Sequence, residues 1–155
     1  MFKSILLPID LAHESSWRFA MPEAIELAKA GQCKLTVMTV IREPKMLFEG
    51  IYLSFQLDQM VAEARSNLDK IVRNFRTTEV LIEQDVRLGS IGHEILTAAR
   101  DRDVDLIVMA SHRPEMLDYL IGPNAAHVAR HAGCSVLILR RFSKNLAAPA
   151  TWIAT

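Results

Sequence analysis

Four short runs of this chain are apolar at consecutive positions rather than at alternate ones: "SILLPI" at 4–9, "KLTVMTVI" at 34–41, "LIVMA" at 106–110 and "SVLILR" at 135–140. A strand that is hydrophobic on both sides must be covered on both sides, the situation inside a parallel sheet sandwiched between helices. A fifth run, "EVLIEQDVR" at 79–87, is more polar and reads as a strand nearer an edge. Between the runs the period changes from two to about 3.6. Residues 14–30 place Trp17, Ala20, Ala24 and Leu27 on one stripe, with Pro22 expected to kink or restart the helix and Gly31 expected to cap it. Residues 57–75 carry Leu57, Met60, Val61, Ala64, Leu68, Ile71, Val72 and Phe75 at helical spacing. Two shorter helices are expected at 91–100, with Ser90 as N-cap, and at 124–132, capped by Asn124 and ended by Gly133.

Alternation of strand and helix implies parallel strands joined by crossovers. The expected architecture is an open five-stranded parallel α/β sheet of Rossmann-like type, with four helices distributed over both faces. The chain's 155 residues suit one domain with a sizeable core. We place that domain at residues 1–141, followed by a tail at 142–155. Residues 42–56 form a long connection, of the kind that is often functional.

Eighteen basic and eighteen acidic residues cancel, which argues against a general nucleic-acid or membrane-surface binder. No apolar stretch approaches the roughly 20 residues of a membrane span, and the N-terminus lacks the long apolar core of a secretory signal. Cys33 and Cys134 show no metal-ligand spacing and are expected to be buried thiols in a reducing, cytoplasmic setting. His127 and His131 are spaced i, i+4 on the last helix, but no further ligand pattern accompanies them, so no metal site is expected. Neither a nucleophile elbow nor a phosphate-binding P-loop motif occurs. No catalytic set is expected.

In open α/β sheets, ligands bind beyond the carboxyl ends of the strands, where strand order reverses. Attention therefore falls on Asp10, on the segment from Ile41 to Pro44, on Gly89, and on Ser111 to Arg113. By itself Asp10 reads either as a hydrogen-bond acceptor for a ligand or as a cap for the helix that follows. Arg113 reads as a phosphate partner or as a solvated side chain, and His112 as a phosphate donor or a residue packed at the sheet end. Gly122 reads as the start of an anion-binding helix N-terminus or as a turn glycine. Gly89 is either a plain turn or a wall of the same pocket.

The segments "ILLPID", "LTVMTVI", "DLIVMASHRP" and "YLIGPNAAHVARHAGCSVLIL" together resemble the universal stress protein family, and within it the F/G-type subgroup, over residues 2–140. That resemblance implies an adenine-nucleotide site. Pro8 and Asp10 would border the adenosine. The backbone of Val40 and Ile41 would meet the adenine edge, and Gly89 would close the ribose side. Ala110, Ser111, His112, Arg113, Gly122, Pro123, Asn124 and Ala125 would surround the phosphates. The implied cofactor is ATP, or ADP or AMP, with Mg as a possible companion. The implied partners are a second copy of the chain, giving a homodimer or higher even oligomer through the last strand, and a protein that the sequence does not name. In the family's nucleotide-binding branch the phosphate loop reads Gly-x2-Gly-x9-Gly-Ser/Thr. Here Ala110 and Arg113 replace the first two glycines, the following interval is one residue shorter, and Pro123 stands where Ser or Thr is usual. The subgroup shares all of these departures except Pro123. A nucleotide-free module acting through dimerisation is the alternative reading.

Overall fold

The structure, a computed structural model, describes residues 1–42, 51–111 and 122–140. Its elements alternate as expected: β1 (Ser4–Pro8), a 3-10 turn (Glu14–Ser16), α1 (Ala20–Gly31), β2 (Lys34–Ile41), α2 (Ile51–Arg73), β3 (Ile82–Leu88), α3 (Ile91–Asp101), β4 (Leu106–Ala110), α4 (Pro123–His131) and β5 (Ser135–Leu139). The five strands form one sheet in the order β3-β2-β1-β4-β5, and every neighbouring pair is parallel.

Alternate residues of the central strands feed two separate cores. Ile5, Leu7, Leu35, Val37, Leu106 and Val108 pack beneath α1 and α2. Leu6, Met38, Ile107 and Met109 pack beneath α3 and α4. Ile5, Leu6 and Leu7 are wholly buried, so the continuous apolar run of β1 is explained by burial on both faces. Burying each such side chain contributes about 1.5–3 kcal/mol. Trp17 packs edge-on against Phe75 with ring centroids 6.1 Å apart, tying the approach to α1 to the end of α2.

The structure amends several boundaries. The helix expected from residue 14 is a single 3-10 turn followed by α1, with Pro22 in the first turn of α1. Proline is tolerated there because the first backbone N–H groups have no helical acceptor. Gly31 is the last helical residue rather than the cap, and Gln32 takes the left-handed conformation (φ 50°). Gly31 answers a steric demand instead, since a Cβ there would stand 2.9 Å from the Phe2 carbonyl oxygen. Helix α2 begins at Ile51, so the connection expected at 42–56 ends by residue 50. Phe55, near its start, is exposed and lies outside the stripe that marked the rest. Helix α4 begins at Pro123 with Gly122 as N-cap, so Asn124 does not take the capping place expected of it, while Gly133 follows the C-cap Ala132 at the helix end. Proline's fixed φ suits the first helical position. Both cysteines are free thiols, and they are half-buried rather than fully buried.

The two edges of the sheet differ. Edge strand β3 is flanked by an ion-pair network in which Arg87 meets Asp85 (2.9 Å) and Asp101 (3.0 Å), and Arg102 meets Asp85 (3.2 Å) and Glu83 (3.1 Å). Edge strand β5 is "SVLIL", and Leu137 on it is 36% exposed.

Candidate functional site

Strands β1 and β4 are neighbours, but the chain leaves them in opposite directions, toward β2 and toward β5. Their carboxyl ends therefore open a crevice that no crossover fills. A cavity of about 860 Å³ occupies this place, within the roughly 300–1,000 Å³ usual for small-molecule sites. Its described wall has three parts. The end of β1 and the loop after it supply Pro8, Ile9, Asp10, His13, Ser15 and Ser16. The end of β2 supplies Val40 and Arg42. Beyond them lie Ile91 and Ile95 of α3, Met109 and Ala110 of β4, and Gly122 to Ala125 at the start of α4.

The loop after β1 is a self-bonded unit. Ser16, buried, accepts the Asp10 N–H at 2.9 Å, and its hydroxyl lies within donating distance of the carbonyls of His13 (2.8 Å) and Asp10 (3.0 Å). Asp10 Oδ1 accepts the Ala12 N–H at 2.9 Å, an Asx-type turn. Asp10 Oδ2 lies 2.9 Å from His13 Nδ1. The carboxylate thus holds the loop together and also stands half-exposed in the cavity wall. Both readings of Asp10 have a structural basis, and the capping one is realised on the loop rather than on a helix. Thr39 anchors the same end of the sheet, since its hydroxyl donates to the Ile9 carbonyl at 3.1 Å.

On the opposite side, the first helical bond of α4 runs from Ala126 N–H to Gly122 O at 2.9 Å. The N–H groups of Asn124 and Ala125 precede it and have no helical acceptor, and Pro123 has no N–H at all. The cavity therefore meets a helix start with two donors where a serine-bearing relative would offer three and a hydroxyl.

Of the residues that the sequence points to, Pro8, Asp10, Val40, Ala110, Gly122, Pro123, Asn124 and Ala125 line the cavity. Ile41, Gly89 and Ser111 are not among its lining residues. The Gly89 N–H donates to the Ile41 carbonyl at 2.9 Å, which closes the β2–β3 ladder, and the Ser111 N–H donates to Leu139 O at 2.8 Å, which prolongs β4–β5. Gly89 has φ +146°, a conformation that glycine adopts without strain. His112 and Arg113 lie outside the described residues. Sequence reasoning passed over Ile9, His13, Ser15, Ser16, Ile91, Ile95 and Met109, and reached Arg42 only as part of the segment from Ile41 to Pro44. His13 lies one turn from Asp10, and Arg42 continues the alternation that puts Val40 on the α3 side, so both carried a local signal.

Asp10 is the only carboxylate among the described lining residues. His127 and His131 stack with ring centroids 4.4 Å apart, and His131 Nδ1 bonds the His127 carbonyl at 2.8 Å. Among the described residues no group of three His, Cys, Asp or Glu side chains is placed to hold a metal. Among the same residues, no helix is long and apolar enough to cross a membrane.

Residues 1–140 match the sequence model of the universal stress protein family. Universal stress protein G of Shigella flexneri is 36% identical over 144 residues, covering 90% of this chain and all of the relative. Universal stress protein UspA from Lactobacillus plantarum superposes with a TM-score of 0.70 at 20% identity, covering 89% of this chain and 97% of that one. A universal stress protein solved in complex with cAMP superposes with a TM-score of 0.59 at 21% identity, covering 90% and 97%. With residues 1–140 matched by the family model and a 36% identical relative covering 90% of the chain, this protein belongs to the universal stress protein family.

Proposed function

We propose that the chain binds an adenine nucleotide in the cavity at the β1/β4 switch point and works as a stress-response regulatory module, with ATP as the first candidate and ADP or AMP as weaker ligands. The observation that carries this reading is the meeting of unlike groups in one cavity: apolar side chains with a carboxylate, and a helix start with two N–H groups that have no helical acceptor. A purine nucleoside suits the first and a phosphate the second. Family membership and a cAMP-bound relative of the same fold support it. The described wall has no set of carboxylates for Mg, so a Mg ion would ride on the phosphate oxygens rather than on the protein. Catalysis beyond slow hydrolysis is not part of the proposal, and the cytoplasm is the proposed location.

Denaturing the purified protein and chromatographing the supernatant tests this reading, together with calorimetric titration of ATP, ADP and AMP. Co-purified or titratable adenine nucleotide is expected. Failure of all three to bind at millimolar concentration would overturn it. The second reading, a nucleotide-free dimeric interaction module with a protein partner, draws on one observation: Pro123 removes a donor and a hydroxyl from the α4 start. Pro123→Ser separates the two. It should tighten ATP more than AMP, by about 1 kcal/mol for one added hydrogen bond, if phosphate sits there.

A further inference from the structure

We propose that Arg42 is a ligand-binding residue that covers the face of the ligand's base, an inference that rests on the nucleotide reading above. On β2 the side chains of Met38 and Val40 face the α3/α4 core, and Arg42 comes two residues after Val40. It lines the same cavity as the apolar side chains of Val40, Ile91 and Ile95. Among the described residues its guanidinium has no ion pair, although a carboxylate stands in the same cavity wall. That carboxylate, Asp10, is engaged by the Ala12 N–H and His13 Nδ1, each at 2.9 Å.

The α4 start, where an anion would be held, lies across β1 and β4 from the end of β2. Two strand spacings amount to about 10 Å, so a ligand anchored by phosphate on α4 presents its other end toward β2. Val40 precedes Arg42 on that strand and lines the cavity too, and the flat apolar part of a nucleotide is its base. A guanidinium stacks on such a π-face and keeps its donors in water, while its stem packs on apolar neighbours.

The test is titration of ATP, AMP and adenosine into the wild type, Arg42→Ala and Arg42→Lys, at low and high salt. Arg42→Ala should weaken all three ligands by the same factor, about three- to thirtyfold for a cation–π contact. The loss should change little with salt, and Arg42→Lys should fall between the two, because an ammonium lacks the stacking plane. A loss confined to ATP and shrinking with salt would place Arg42 on a phosphate and overturn the proposal. Unchanged binding by Arg42→Ala would overturn it as well, and both of these results leave the nucleotide reading standing. A wild type that binds none of the three takes both readings down. Circular dichroism confirms that the variants fold, which is expected because Arg42 is exposed.

Discussion

Thr36→Val should make this protein more stable. Thr36 sits in the middle of β2, fully buried, and its Oγ1 has no hydrogen-bond partner. It lies opposite Leu6 in the β1–β2 register, and β2 is also paired along its other side with β3. The main chain around it is therefore committed to the sheet ladder. Burying a hydroxyl without a partner costs about 1–3 kcal/mol in protein mutational data. Valine keeps the branched shape, removes that cost and adds a buried methyl, so a gain of about 1–2 kcal/mol is expected. Each kcal/mol raises the melting temperature of a chain this long by about 2–4 °C. The control lies three residues along. Thr39 is also buried, but its hydroxyl donates to the Ile9 carbonyl at 3.1 Å. Thr39→Val should lose about 1 kcal/mol and leave the Ile9 oxygen short of a donor. Urea denaturation of the two variants beside the wild type reads the difference as opposite shifts in midpoint at constant slope. If Thr36→Val is destabilising like Thr39→Val, the hydroxyl has a partner, such as a buried water, and the reasoning fails.

Asp10→Ala should weaken ATP by about 1–3 kcal/mol if the carboxylate meets the ligand, and should also lower the ligand-free melting temperature, because it releases the Ala12 N–H and His13. Equal ATP affinity in calorimetry, with only the melting temperature lowered, would leave Asp10 a loop staple. Burial pushes the Asp105 carboxyl up, but the backbone N–H groups of Lys3 (2.7 Å) and Ser4 (3.1 Å) outweigh it and hold the carboxyl below its ordinary range. Its stabilisation is therefore present above the unfolded carboxyl value, about pH 4, and lost as pH falls through the lower folded value. Asp105→Asn should be less stable at pH 7 and show a shallower loss of stability on acidification below about pH 5, measured by chemical denaturation across pH. Pairing through β5 predicts light scattering at twice the 17.4 kDa chain mass and a shift to monomer in Leu137→Arg. A wild-type monomer at micromolar concentration would refute the pairing.

The fold was legible because burial on two faces writes itself into consecutive residues: β2 and β4 run over the residues that their apolar runs mark. Helix ends were less legible. Trp17 lies on the apolar stripe yet precedes α1, and Phe55 near the start of α2 is exposed, so it adds nothing to the stripe that reveals a helix packed on a sheet. Asp10 could be found because it follows a buried strand. Arg42 and His13 carried only local hints, because their meeting in one cavity depends on β2 and β4 flanking β1, and strand order has no local signature. The pairing of Asp10 with His13 likewise arises from the 3-10 turn, which helical periodicity had absorbed into a longer helix.

The unlike edges of the sheet set a limit on growth. A sheet with two bare apolar rims can add copies without end, as fibrils do. Here one rim is apolar and the other is bordered by the charges of Glu83, Asp85, Arg87 and Arg102. Two copies joined rim to rim through β5 consume the adhesive side of each and turn only charged borders outward. If β5 pairs in this way, the association would stop after one step, its largest size capped by symmetry.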